Sequence, residues 1–217
     1  MALIVYSGGL DSTVLLHLLK REGKAQAALL VDYGQKHKKE LEYAKTNCRK
    51  LGVPFEVADL TSLKPLFGDC SLTNDSEAVP DGGYREESMK STVVPNRNMI
   101  MISVAAARAI AVGANEVAYA AHAGDHAIYP DCRPEFADAL DGVLALCHYE
   151  PIKLLRPFVG MTKAEIVELG AELGVDFSLT WSCYKGGEIH CGTCGTCTER
   201  REAFALAGVA DPTKYLA

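Results

Sequence analysis

Short apolar runs rich in strand-forming residues recur at 2–6, 27–33, 55–60, 116–121 and 152–156, and each is bounded by turn residues. Segments with helical apolar spacing lie between them. Residues 13–20 form one. Residues 37–51 form a more polar one, with Leu41, Ala44, Cys48 and Leu51 on a single face and Gly52 closing it. Residues 97–112 are small and apolar enough for a buried helix, and Gly113 ends it. Residues 134–147 have helical spacing, and Thr162-Lys163-Ala164-Glu165 is a capping box that opens a helix to Leu173. A short last helix is predicted over 198–206. Strands alternating with helices predict an α/β fold in which a parallel sheet carries helices on both faces. Residues 61–95 lack periodicity, mix charges and contain Pro80, Gly82 and Gly83, which predicts a functional lid or mobile loop.

At 217 residues the chain suits one large domain with a small appendage, and the pattern divides it into 1–179 and a cysteine-rich segment 180–217. A net charge of −6 gives no positive field to attract nucleic acid or an anionic membrane. The longest apolar stretch, 99–112, contains Ser103 and Arg108 and falls short of the ~20 residues that span a bilayer. The first residues lack the basic start of a signal peptide, so the expected location is the cytoplasm. In that reducing compartment, eight cysteines point to metal binding or catalysis wherever they cluster.

Ser7-Gly8-Gly9-Leu10-Asp11-Ser12 stands between the first strand and the first helix. Two glycines allow close backbone approach, and successive N–H groups at a helix N-terminus make an anion cradle. Ser7 and Ser12 add hydroxyls, and Asp11 suits a Mg²⁺ ion that bridges phosphate oxygens. Neither G-x-x-x-x-G-K-[ST] nor G-x-G-x-x-G occurs, which removes the ordinary GTPase and dehydrogenase readings. The string resembles the PP-loop, SGGxDS, of the N-type ATP pyrophosphatases.

Cys183, Cys191, Cys194 and Cys197 have the spacing C-x7-C-x2-C-x2-C. Four thiolates within a glycine-rich stretch suit a closed tetrahedral Zn²⁺ site, with an iron–sulfur cluster and a redox dithiol as the alternatives. His190 adjoins Cys191 as a possible substitute ligand or an outer partner. Cys48, Cys70, Cys132 and Cys147 are scattered and read as packing residues.

Three further strings join these two motifs: Val94-Pro95-Asn96-Arg97-Asn98, Tyr129-Pro130-Asp131-Cys132-Arg133-Pro134-Glu135-Phe136 and Gly160-Met161-Thr162-Lys163. Together they resemble the 7-cyano-7-deazaguanine synthase family over essentially the whole chain, through its VPxRN, YPDCRxEF and pre-helix segments. Leu10 stands where glutamine is frequent in that family, and Ile128 where many members carry glycine.

The resemblance implies an adenine nucleotide alpha hydrolase-like, Rossmann-like fold with a small C-terminal zinc-binding segment. It implies ATP binding along Tyr6, Ser7, Gly8, Gly9, Leu10, Asp11, Ser12, Thr13, Val14, Leu15 and Leu16. The implied reaction turns 7-carboxy-7-deazaguanine and ammonium into a nitrile at the expense of ATP, through an acyl-adenylate and an amide, with Mg²⁺ and Zn²⁺ bound. Ser7, Asp11, Ser12, Arg97 and Lys163 are the implied catalytic residues, and Tyr129, Asp131, Arg133 and Asp125 the substrate contacts. Asp131 is the first candidate for the donor edge of the base, with Asp125 competing. His122 and His126 flank Asp125 and could handle the ammonium proton. The partners implied are small molecules and a second copy of the chain, without nucleic acid or membrane. A PP-loop tRNA-modifying ligase or sulfur transferase is the alternative, and a nucleotide-sensing module lacking catalysis is a third reading.

Overall fold

The computed structural model describes residues 1–217. Five strands, β1 (Ala2–Val5), β2 (Ala25–Asp32), β3 (Phe55–Asp59), β4 (Glu116–Ala118) and β5 (Lys153–Leu155), form one sheet in the order β3-β2-β1-β4-β5, with every pairing parallel. The order reverses between β1 and β4, the place where open α/β sheets form a crevice beyond the strands' carboxyl ends.

Seven α-helices accompany the sheet: α1 (Leu10–Arg21), α2 (Lys39–Leu51), α3 (Glu86–Met89), α4 (Arg97–Ala111), α5 (Pro134–Leu144), α6 (Lys163–Glu172) and α7 (Gly195–Ala207). Period-two side-chain alternation divides β1 and β2 between two cores. Leu3, Leu29 and Val31 face α4 and α5, together with Ile102, Ala105 and Leu140. Ile4, Tyr6, Ala28 and Leu30 face α1, α2, α6 and α7, together with Leu15, Leu16, Ile166 and Phe204. Because both faces are covered, these strands read as continuous apolar runs. No helix is long and apolar enough to cross a membrane.

The segment 61–95, expected as a lid or mobile loop, is a packed strap. Its 3₁₀-helix Thr61–Phe67, α3 and the turns between them send Phe67, Cys70, Leu72, Met89 and Val94 into the first core. The Lys36 N–H donates to Leu72 O, and the Ser71 N–H to Ser91 O. At its far end Asp81 pairs with Cys194, and the Gly82 N–H donates to Thr193 O. The C-terminal segment is likewise part of the body, since Ala203 and Phe204 complete the second core and the Trp181 N–H donates to Gly8 O.

Candidate active site

β1 delivers the chain to Ser7 at the reversal point, and α1 begins at Leu10 with Gly9 as its N-cap. Gly8 has φ +87°, and a Cβ there would run into the carbonyl of Glu40, so the loop and the start of α2 approach as only glycine allows. Hydroxyls hold the loop's shape. Ser7 Oγ accepts from the Gly9 N–H and lies 3.1 Å from Ser12 Oγ, while Thr13 Oγ1 donates to Gly9 O at 2.8 Å and meets Tyr6 Oη at 3.1 Å.

The loop opens onto a half-open cleft of about 190 Å³, lined by polar and apolar side chains in similar measure. Its floor carries a charged cluster. Lys163, the first residue of α6, places Nζ 3.1 Å from Asp11 Oδ2, 2.8 Å from Glu199 Oε2 and 3.4 Å from His122 Nε2. Burial alone would raise the Asp11 carboxyl, but Lys163 and then His122 hold it below the ordinary carboxylate range. Burial opposes the charge on Lys163, yet the Asp11 and Glu199 carboxylates keep that ammonium firmly protonated. Burial raises Glu199 in spite of Lys163. Asp11 Oδ1 is buried with no hydrogen-bond partner.

His122 Nε2 lies 3.5 Å from Asp125 Oδ2 and 4.0 Å from Glu199 Oε1, a group compact enough for a metal ion. The other ring nitrogen, Nδ1, accepts from the Gly124 N–H at 3.1 Å. An imidazole that accepts at Nδ1 carries its proton on Nε2, so His122 faces the carboxylates as a donor rather than as a metal ligand.

The other half of the cleft is aromatic. Tyr33, Tyr84, Tyr129, Tyr184 and His37 line it, with the His37 and Tyr184 rings 4.9 Å apart and tilted by 33°. Arg97, at the start of α4, also lines this half. It makes no ion pair, and its Nε is buried without a partner. A guanidinium with a buried, unpartnered N–H and no carboxylate in ion-pair contact is a receptor for an anion.

Near the cleft, Cys183, Cys191, Cys194 and Cys197 place their sulfurs within 4.8 Å of one another. The Cys191 N–H donates to Cys183 Sγ, and those of Thr193 and Cys194 to Cys191 Sγ, at 3.3–3.4 Å, which favours thiolates. Cys194 caps α7, which starts three residues before the predicted 198 and therefore carries both Cys197 and Glu199. His190 is outside this group. Its Nε2 accepts from the Ser182 N–H at 3.0 Å, and its ring packs on Trp181 at 4.2 Å.

The structure brings Tyr6, Ser7, Gly9, Leu10, Asp11, Ser12, Arg97, Asp125, Tyr129 and Lys163 to one cleft. Val14, Leu15 and Leu16 are not part of it; they face the core on the inner side of α1, while Thr13 sits beneath the loop. Asp131 and Arg133 also fall outside. Asp131 Oδ2 accepts from the Asn98 N–H at 2.9 Å, which ties down the first turn of α4, and Arg133 Nε donates to His126 O at 2.8 Å. Of the scattered cysteines, Cys132 lines the cleft and Cys147 is exposed.

Sequence reading passed over Glu40, His37, Tyr33, Tyr184 and Glu199. On a polar helix each charged one reads as solvated, and only the packing of α2 and α7 against the loop turns them inward. His37 and Glu40, one helical turn apart, were the available signal.

The model of the family "Queuosine biosynthesis protein QueC" matches residues 1–208. The 7-cyano-7-deazaguanine synthase of Caldicellulosiruptor saccharolyticus is 51% identical over 214 residues, spanning 99% of this chain and 95% of its own. That of Brucella anthropi is 54% identical over 215 residues, spanning 98% and 92%. Among solved structures, the NMN synthetase of Francisella tularensis superposes with a TM-score of 0.55 at 17% identity, covering 96% of this chain and 77% of that one. The U34-tRNA thiolase NcsA of Methanococcus maripaludis, solved with its [4Fe-4S] cluster, does so at 0.52 and 18%, covering 94% and 64%. At such identities these two likenesses concern the fold alone.

Proposed function

Since the chain belongs to the QueC family of queuosine biosynthesis proteins, whose curated relatives are carbon–nitrogen ligases, we propose that it converts 7-carboxy-7-deazaguanine, ammonia and ATP into 7-cyano-7-deazaguanine in two activation rounds at one site. The observation that carries this reading is the pairing of an anion cradle at Ser7–Ser12 with the unpaired Arg97 in one cleft.

A carboxylate is a poor electrophile. Attack of its oxygen on the α-phosphate would give an acyl-adenylate and pyrophosphate, and ammonia would displace AMP to leave an amide. A second adenylation, now at the amide oxygen, would allow elimination to the nitrile. The protein's part is positioning and charge stabilisation. Loop N–H groups and the Ser7 and Ser12 hydroxyls hold the departing pyrophosphate. Lys163 balances Asp11 and Glu199 beside it, and Arg97 receives the substrate carboxylate. Tyr129 and Tyr84 supply aromatic walling, with Asp125 holding the Tyr84 hydroxyl, while Asp131 and Arg133 contribute by fixing α4 and the 122–126 turn.

The buried, partnerless Asp11 Oδ1 fits a cation, so Asp11 would hold Mg²⁺, which neutralises phosphate charge when bound. The four sulfurs fit one zinc ion. A tetrahedron with Zn–S of about 2.3 Å puts sulfurs about 3.8 Å apart, and Cys191 and Cys197 stand 3.9 Å apart. A four-iron cluster holds its thiolates further apart. We place the protein in the cytoplasm as a homodimer.

The test is reconstitution with free 7-carboxy-7-deazaguanine, ATP and ammonium, followed by mass spectrometry of the base. The nitrile, with AMP and pyrophosphate, is expected in the absence of RNA. Activity that appears only when tRNA is supplied would favour the tRNA-modifying alternative.

A further inference from the structure

Four carboxylates line the cleft, and three are committed. Asp11 and Glu199 pair with Lys163, and Asp125 accepts from the Tyr84 hydroxyl at 2.7 Å and faces His122. Glu40, in the first turn of α2, differs. Its Oε1 accepts from Gln35 Nε2 at 3.1 Å and lies 3.6 Å from His37 Nε2, while Oε2 has no hydrogen-bond partner within the protein. Gln35 is itself fixed at both ends of its amide, with Oε1 accepting from the Tyr33 N–H at 2.9 Å and Nε2 also donating to Val31 O at 3.2 Å. A glutamine anchored to the end of β2 therefore aims one carboxylate into the aromatic half of the cleft that also holds Arg97.

We propose that Glu40 is the residue that selects the guanine-type base, receiving its ring N1–H and exocyclic amine on one carboxylate while Arg97 receives the carboxylate at C7. This rests on the substrate class given under the proposed function. Two adjacent donors match a carboxylate's two oxygens, whereas the adenine edge offers a donor beside an acceptor. The same geometry thus separates the base from the adenine of ATP in a cleft that must hold both. Burial pushes the empty Glu40 carboxyl up to about 8, above what Gln35 and Arg97 counteract, so donors from a bound base would relieve a real desolvation cost. Asp131, the acceptor expected from sequence, is engaged with α4 and outside the cleft, which leaves this role open for Glu40.

The experiment crosses residue with substrate: kcat and KM for wild type, Glu40→Gln and Glu40→Asp, each on the carboxy-deazaguanine and on its analogue without the exocyclic amine, with melting curves alongside. A site built to bond an amine rejects the analogue that lacks it, so wild type should lose about a hundredfold or more in kcat/KM on the analogue. In both variants the parent substrate's KM should rise, removal of the amine should matter only about twofold, and KM for ATP should stay near wild type. The same discrimination in folded variants and wild type, or a rise in KM for ATP in place of the base, would overturn the assignment. Failure of wild type to consume the carboxylate would instead overturn the proposed function, so the two failures are distinguishable.

Discussion

Asp11 and Arg97 show how position, more than residue type, decides what a charge does. Asp11 is held ionised by Lys163 against its own burial, with one oxygen left over. Arg97 is half-buried, with its Nε buried and unpartnered and no carboxylate within ion-pair distance. Both are arrangements that cost stability when the cleft is empty and are relieved by ligands of opposite sign. Asp11→Asn should keep the fold, because Lys163 retains Glu199 at 2.8 Å. Its melting midpoint should stay within a few degrees of wild type, while kcat falls about a hundredfold, as losing one electrostatic stabiliser typically costs. Near-normal turnover at saturating Mg²⁺ would remove Asp11 from the mechanism. The Ser7–Ser12 loop could be read from sequence because its chemistry is local: glycines, hydroxyls and a helix start within six residues. Glu199 could not, and Glu40 only through its spacing from His37, since each becomes a cleft residue through packing between elements far apart in the chain. Asp131 illustrates the converse, a carboxylate in a conspicuous motif that serves a helix terminus.

At the scale of elements, apolar runs located every strand to within a few residues, most plainly β1 and β2, whose side chains enter a core on each face of the sheet. Helix starts were less visible. α1 begins three residues before the apolar pattern, at the loop itself, and α7 begins at Gly195 because Cys194 caps it. The strap 61–95 had no period to read, since long-range contacts to β2, α4 and Thr193 hold it instead. The capping box is formed as its sequence predicts: Thr162 Oγ1 accepts from the Glu165 N–H, and Glu165 Oε2 from the Thr162 N–H. That box sets Lys163 at the first helical position. Thr162→Ala should lower stability by about 1 kcal/mol in denaturant unfolding, and a loss well under half of that would mean the cap is not holding α6.

The cysteine cluster acts through α7 in the same way. It fastens Cys197 in the helix's first turn, with Thr196 and Glu199 facing the cleft nearby. Elemental analysis should find one zinc per chain, and Cys194→Ser should lose both the metal and most soluble protein, since a structural metal contributes directly to folding. Iron with sulfide in anaerobically purified protein would contradict the zinc assignment.

For the whole molecule, both cores, the strap and the cysteine segment converge on one crevice at the reversal point of the sheet. A net charge of −6 gives the chain no overall positive field to hold a polyanion, in keeping with a small substrate. The central claim is that this crevice joins the substrate's own oxygen to the α-phosphate of ATP. Its most direct measurement follows ¹⁸O from a doubly labelled carboxylate on 7-carboxy-7-deazaguanine through complete turnover. Adenylation of the acid and then of the amide should carry the label into AMP, with none in pyrophosphate. Label appearing in inorganic phosphate or released to water, with AMP unlabelled, would contradict acyl-adenylate chemistry at this site.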